Sequence, residues 1–198
     1  MRMHLLSFLI LPLLSLASVD EQTIIPVQLS DEEAYMPMTN AQPTLADLLT
    51  IESSASIFYS YARELELSAL FAGENSRMTL LVPTNKAVMA LARKPHEGPA
   101  PIKDGVILPE EQFDAMSKEN VKRWVSAHII PRSPISLLSS DSYDTLLAGK
   151  SVSFKEVSDD ENTEDWQRVR LNNGVRLLGM KEAQNGVVYM IDGTVTLD

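Results

Sequence analysis

Apolar side chains in this sequence recur at helical spacing up to Pro131 and at strand spacing beyond it, and that change of period limits the fold more than any other feature. In the first part, Leu45, Leu48 and Leu49 follow Thr44, with Asp47 three residues after the threonine. This is the pattern of a capping box that opens a short helix. Ile57, Phe58, Tyr61 and Leu65 repeat every three or four residues, and Leu67, Leu70 and Phe71 carry that face on to Gly73, predicting a second helix. Pro109 opens another, in which Val121, Trp124, Val125 and His128 share a face before Pro131 ends it. One run interrupts the helices: residues 78–82 read as a buried strand stopped by Pro83, after which Thr84 caps a helix that buries Val88 and Leu91. Beyond Pro131, residues 151–157 and 166–171 alternate in polarity as strands do. Asn172-Asn173-Gly174 reads as a tight turn into a return strand over 175–178, and Gln184-Asn185-Gly186 as a turn into a last strand over 187–191. Helices first and strands after predict an α+β fold, not a doubly wound parallel sheet.

The 198 residues allow one ordinary domain, and with 44% hydrophobic and 22% charged residues the chain has the balance of a soluble folded protein. Order is expected over residues 43–198. Within them, residues 94–109 hold four prolines and two glycines and read as a surface insertion. Residues 18–42, polar and acidic with Pro26 and Pro37, read as an extended arm. Residues 1–17 have the three-part layout of a secretory signal peptide. Arg2 precedes a mainly apolar stretch from Leu5 to Leu16, and Ser15-Leu16-Ala17 offers the small residues a signal peptidase reads, predicting cleavage after Ala17 or one residue later. That stretch falls short of the ~20 residues needed to span a bilayer. The last residues, Asp192 to Asp198, lack the apolar tail of a lipid-anchor signal, so a soluble mature protein without stable membrane insertion is expected.

The formal net charge of -10, with no cluster of Lys and Arg, argues against nucleic acid and anionic membrane surfaces as partners. The chain holds no cysteine, which excludes disulfides, thiolate metal sites and a Cys nucleophile. No Asn-x-Ser/Thr triplet occurs, so N-glycosylation is not expected.

Three ordered stretches resemble the fasciclin domain family. Thr79-Leu80-Leu81-Val82-Pro83-Thr84-Asn85-Lys86-Ala87-Val88 is similar to its strand-to-helix box. Val125-Ser126-Ala127-His128-Ile129-Ile130 resembles its Tyr-His box, with Ala127 where tyrosine is usual. Residues 185–195, opening with Asn185-Gly186 and carrying Ile191-Asp192, resemble its final strand. The resemblance implies a wedge-like β sandwich with a cluster of helices in the N-terminal half and does not imply activity as an enzyme; neither an enzyme nor a cofactor is expected. The family's usual roles are cell adhesion, matrix contact and polysaccharide-rich surfaces. A single copy with a Pro-rich insertion looks most like the small single-domain fungal members, some of which reside in the vacuole. The expected partner is therefore an extracellular, wall or lumenal protein or polysaccharide.

Individual residues sharpen this. His128 invites a catalytic reading, but its apolar helix face predicts a buried, hydrogen-bonded structural histidine, with Asn85 as the partner the resemblance suggests. With Thr84, Asn85, Asn185, Gly186 and Asp192 it forms the set of structural family-motif residues. Glu156, Asp159, Asp160, Glu161, Glu164 and Asp165 lack the alternation and central glycine of an EF-hand loop and read as a solvated hairpin tip rather than a metal site. Trp166, beside them at the start of a strand, is the candidate ligand contact, since an exposed tryptophan stacks on a sugar ring or anchors a protein interface. The competing reading is a lumenal acid hydrolase or processing factor. A catalytic carboxylate pair remains open, because its separation is a property of the fold.

Overall fold

The computed structural model describes residues 42–65, 67–98 and 109–197. The expected leader, most of the arm and residues 99–108 of the insertion lie outside them. The first helix, α1 (Leu45–Ile51), opens with the capping box read from the sequence. Thr44 Oγ1 accepts from the Asp47 amide at 3.2 Å and Asp47 Oδ2 from the Thr44 amide at 2.9 Å. A 3₁₀ turn, Ser53–Ala55, leads into α2 (Ser56–Glu64), which buries Phe58 and Ala62.

The single helix expected to run on to Gly73 is two. The backbone leaves α geometry at Leu65 and restarts as α3 (Ser68–Ala72), so that Phe71 turns into the core and α3 packs on α1. The apolar spacing is satisfied by two short helices as well as by one long one.

Strand β1 (Met78–Pro83) is buried at all six residues, and Thr84 caps α4 (Asn85–Met89) by accepting from the Ala87 amide at 3.2 Å. The start of the insertion is more regular than expected. Pro95–Glu97 forms a 3₁₀ turn held to the next helix by Asn120 Nδ2 donating to the His96 carbonyl. That helix, α5 (Glu110–Ala127), ends three residues before the Ile130–Pro131 boundary suggested by the sequence. His128 is its C-cap, and Ile129–Ile130 already forms strand β2.

Five strands follow: β3 (Ser142–Asp144), β4 (Ser151–Glu156), β5 (Val169–Leu171), β6 (Leu177–Ala183) and β7 (Gly186–Ile191). They form a four-stranded sheet in the order β2-β1-β7-β6 and a three-stranded sheet in the order β3-β4-β5. Two sequence readings need correction. Trp166 sits in a 3₁₀ turn, Asp165–Gln167, instead of a strand. Residues 175–178 are not the return strand of β5. Apart from one bridge between Arg170 and Arg176, the chain crosses to the other sheet, where β6 pairs with β7. Asp192 directs that crossing by accepting from the Arg176 amide and its Nε.

The four-stranded sheet is the middle layer. On one face Leu80, Val82, Val188 and Met190 pack against Leu49, Phe58, Phe71 and Trp124 of the helices. On the other, Leu81, Tyr189 and Ile191 meet Tyr143, Phe154, Val169 and Leu171 of the three-stranded sheet. Strand β1 runs parallel to β7, from Met78 opposite Gly186 to Pro83 opposite Ile191. A strand covered on both faces explains why residues 78–82 are mainly apolar instead of alternating.

Candidate functional site

The motif residues come together along the β1–β7 pair and form a frame. At one end, a Cβ added to Gly186 would lie 2.0 Å from the Met78 carbonyl oxygen, so only glycine allows the strands to close there. Asn185, fully buried, accepts from the Leu45 amide at 2.9 Å and donates to the Phe71 and Gly73 carbonyls at 2.8 and 3.0 Å. One amide thus ties the start of α1 and the end of α3 to the β6–β7 turn. At the other end, the Thr84 amide donates to the Ile191 carbonyl and Asp192 holds Arg176. Asn85 accepts from the Ile57 amide and donates to the Ser53 carbonyl and Ser56 Oγ, joining α4 to the start of α2.

His128 stands inside this frame, without exposure and bracketed by the Phe58 and Trp124 rings. Its Nδ1 donates to the Trp124 carbonyl at 2.7 Å, and its Nε2 accepts from the Val195 amide at 2.9 Å. Those two partners fix the neutral Nδ1–H tautomer. Burial pulls its pKa down to about 4, against the opposing pull of the Trp124 carbonyl. The expected partnership with Asn85 is not formed. Asn85 is spent on the helix junction, and the backbone, not a side chain, satisfies the imidazole. Both ring nitrogens are occupied and no solvent reaches them, so the ring has no free atom for proton transfer to a substrate.

The surface offers a different kind of place. Ile135, Ser136 and Leu137, the turn holding Glu164, Asp165 and Trp166, and Met180 of β6 with Tyr189 of β7 enclose a cleft of about 200 Å³. Trp166 is half-buried in one wall, and Glu164 and Asp165 are exposed beside it. Tyr189 is only 5% exposed, and its hydroxyl, which has no hydrogen-bond partner among the described residues, is the part that reaches solvent. Burial, with the negative charges of Asp165 and Glu182 behind it, raises the Tyr189 pKa, so the phenol stays protonated. Within the acidic turn, Arg168 holds Glu156 at 2.6 Å and stands 3.8 Å from Asp165. Among the described residues no group of three or more His, Cys, Asp or Glu side chains is placed to share a metal ion.

The sequence singles out Trp166 but not Tyr189, although Tyr189 lies within the stretch 185–195 that resembles the final strand. Its signal was alternation: Val187 and Tyr189 share a face of β7, with Met180 opposite Tyr189 on β6.

The fasciclin domain model matches residues 53–196, most of the chain. A FAS1 domain-containing protein of Aspergillus fumigatus is 34% identical over 97 residues, covering 47% of this chain and 42% of that protein. Another, of Emericella nidulans, is 26% identical over 160 residues, covering 79% of this chain and 63% of that protein. The chain therefore spans less than two thirds of the length of these two relatives. Among solved structures, a FAS1 domain pair from the insect cell adhesion molecule fasciclin I superposes with a TM-score of 0.53 at 14% identity, over 78% of this chain and 51% of that one.

Proposed function

Because the chain belongs to the fasciclin domain family, we propose that it works as a non-enzymatic binding module of the secretory pathway. In this reading it contacts protein or polysaccharide at the cell surface, in the wall or in the vacuole lumen. The observation that carries it is the contrast in chemical availability. The one histidine suited by the sequence to catalysis is enclosed with both nitrogens bonded, while Trp166 and an unpartnered phenol border an open cleft. A binding surface needs such a cleft; general base catalysis needs an accessible base. Entry into the secretory pathway rests on the leader pattern in residues 1–17, and the adhesion role on the family. Among the described residues no helix is long and apolar enough to cross a membrane.

The test has two arms. Purified protein incubated with a panel of glycosidic, ester and peptide substrates is expected to turn none over. Turnover that a single carboxylate substitution abolishes would replace this reading with that of a lumenal hydrolase. A tagged chain followed by microscopy is expected in the vacuole lumen or at the cell periphery, and a cytosolic signal would remove the secretory part.

A further inference from the structure

We propose that the cleft beside Trp166 is a receptor for one cationic side chain, lysine or arginine, presented by a basic segment of a partner protein. This rests on the binding-module reading and narrows it to a partner chemistry.

Size decides first. At about 200 Å³ the cleft is smaller than the roughly 300–1,000 Å³ that encloses a drug-sized ligand. It holds one extended side chain, not a run of sugar rings.

Its lining decides next. Tyr189 is buried over nine-tenths of its surface and its hydroxyl, which lines the cleft, bonds to nothing among the described residues. That oxygen reaches solvent at the cleft and is free to accept a hydrogen bond from a ligand N–H. The Trp166 indole supplies an aromatic wall, and a cation over an aromatic face is attracted by its electron density. Leu137 and Met180 offer apolar surface for the methylene stem of a lysine or arginine.

Charge decides last. Glu164 and Asp165 stand at the cleft. Arg168 partly engages Asp165, but Glu164 has no ion-pair partner among the described residues. A neutral sugar would hydrogen-bond to these carboxylates without neutralising their charge, and an anion would be repelled. A cation satisfies the hydroxyl, the indole and the acids together, and the chain's net charge of -10 draws a basic partner toward it.

The full chain contains two tryptophans, so ¹⁵N-labelled protein gives two indole cross-peaks. Titration with pentalysine or pentaarginine is expected to shift the Trp166 indole and leave that of Trp124, which is 4% exposed, in place. Tyr189→Phe removes only the hydroxyl and should weaken binding by about five- to tenfold. Glu164→Gln should weaken it by about two- to fivefold, and added salt should weaken it further. A β-1,3-glucan pentasaccharide that shifts Trp166 where pentalysine does not would overturn the cation assignment and leave the binding-module reading standing. Equal binding of pentalysine by Tyr189→Phe would reduce the effect to diffuse attraction and overturn the assignment. Silence from both probes would overturn it as well. Hydrolytic turnover bears on the underlying reading alone, so the two failures are distinguishable.

Discussion

The frame around β1 and β7 and the cleft beside Trp166 lie in one domain, and both contain a buried polar side chain with nearly the same exposure. They differ in what those side chains bond to. In the frame, both nitrogens of His128 and the oxygen and nitrogen of the Asn185 amide are committed to backbone groups. In the cleft, the Tyr189 hydroxyl is committed to nothing among the described residues. Saturated polar groups specify a fold, because removing one strands its partners. An unsaturated one at an opening is available to something outside the chain. Residue burial alone does not separate structural from contact residues, but whether the polar atom is bonded within the chain or open to solvent does.

Substitutions along this divide test it, beginning with the largest effect. Gly186→Ala places a methyl against the Met78 carbonyl and should cost more than about 4 kcal/mol, read as loss of folded protein or a collapsed melting temperature. Near-normal stability in that variant would show that the β1–β7 closure tolerates slack. Asn185→Ala strands one amide and two carbonyls and should cost about 3–5 kcal/mol in denaturant midpoint experiments.

His128→Ala should cost about 2–4 kcal/mol, from a cavity plus the abandoned Val195 amide and Trp124 carbonyl. The same residue predicts a pH profile. Its folded pKa of about 4 lies below the ordinary histidine value, so the unfolded chain takes up the proton first. The stability it contributes is complete above pH ~6.5 and is lost as pH falls toward 4. The loss totals about 3 kcal/mol, of which about 2 has gone by pH 5. Urea midpoints measured from pH 8 to 4 should show this slope, and His128→Ala should flatten it.

The ion pair between Lys181 Nζ and Glu52 ties β6 to the end of α1 at the surface. The bonds from Lys181 and then Ser54 hold the Glu52 pKa down to about 2, so this contribution is present above pH ~4.5 and fades below it. Glu52→Gln should cost no more than about 1 kcal/mol at neutral pH by thermal melting, because the pair is partly solvated. Tyr189→Phe is the smallest and sharpest case. Its hydroxyl bonds to nothing in the described chain, so stability should change by less than ~0.5 kcal/mol. A loss comparable to that of His128→Ala would erase the distinction between the two regions.

Much of this was legible in the sequence wherever the cause is local. The Thr44 capping box, the Thr84 cap and the Gln184-Asn185-Gly186 turn each depend on a few adjacent residues, and each forms as read. The order of the three motifs carried the family. Strands of two and three residues, β2 and β3, escaped because their pairing is decided by partners far along the chain. The crossing after Gly174 escaped for the same reason: nothing near it indicates that Arg176 will be captured by Asp192. The partner of His128 was misread because a side chain was sought, and a backbone amide from the last residues of the chain has no signature in sequence. The cleft was half visible. Trp166 stood out by type, but the segments at 135–137, 180 and 189 meet it only once both sheets are in place.

The parallel pairing of β1 with β7 also governs how the protein is made. β7 lies between β1 and β6, and it follows β1 by roughly a hundred residues. At about 5–20 residues per second, a ribosome needs roughly 5–20 seconds to deliver it. Until then the helices that surround Phe58 and Phe71 have no finished sheet to close on, and β1 presents one unpaired edge. Folding is therefore gated by a late, long-range event, which favours slow assembly and a nascent chain that depends on chaperones until its final strand emerges.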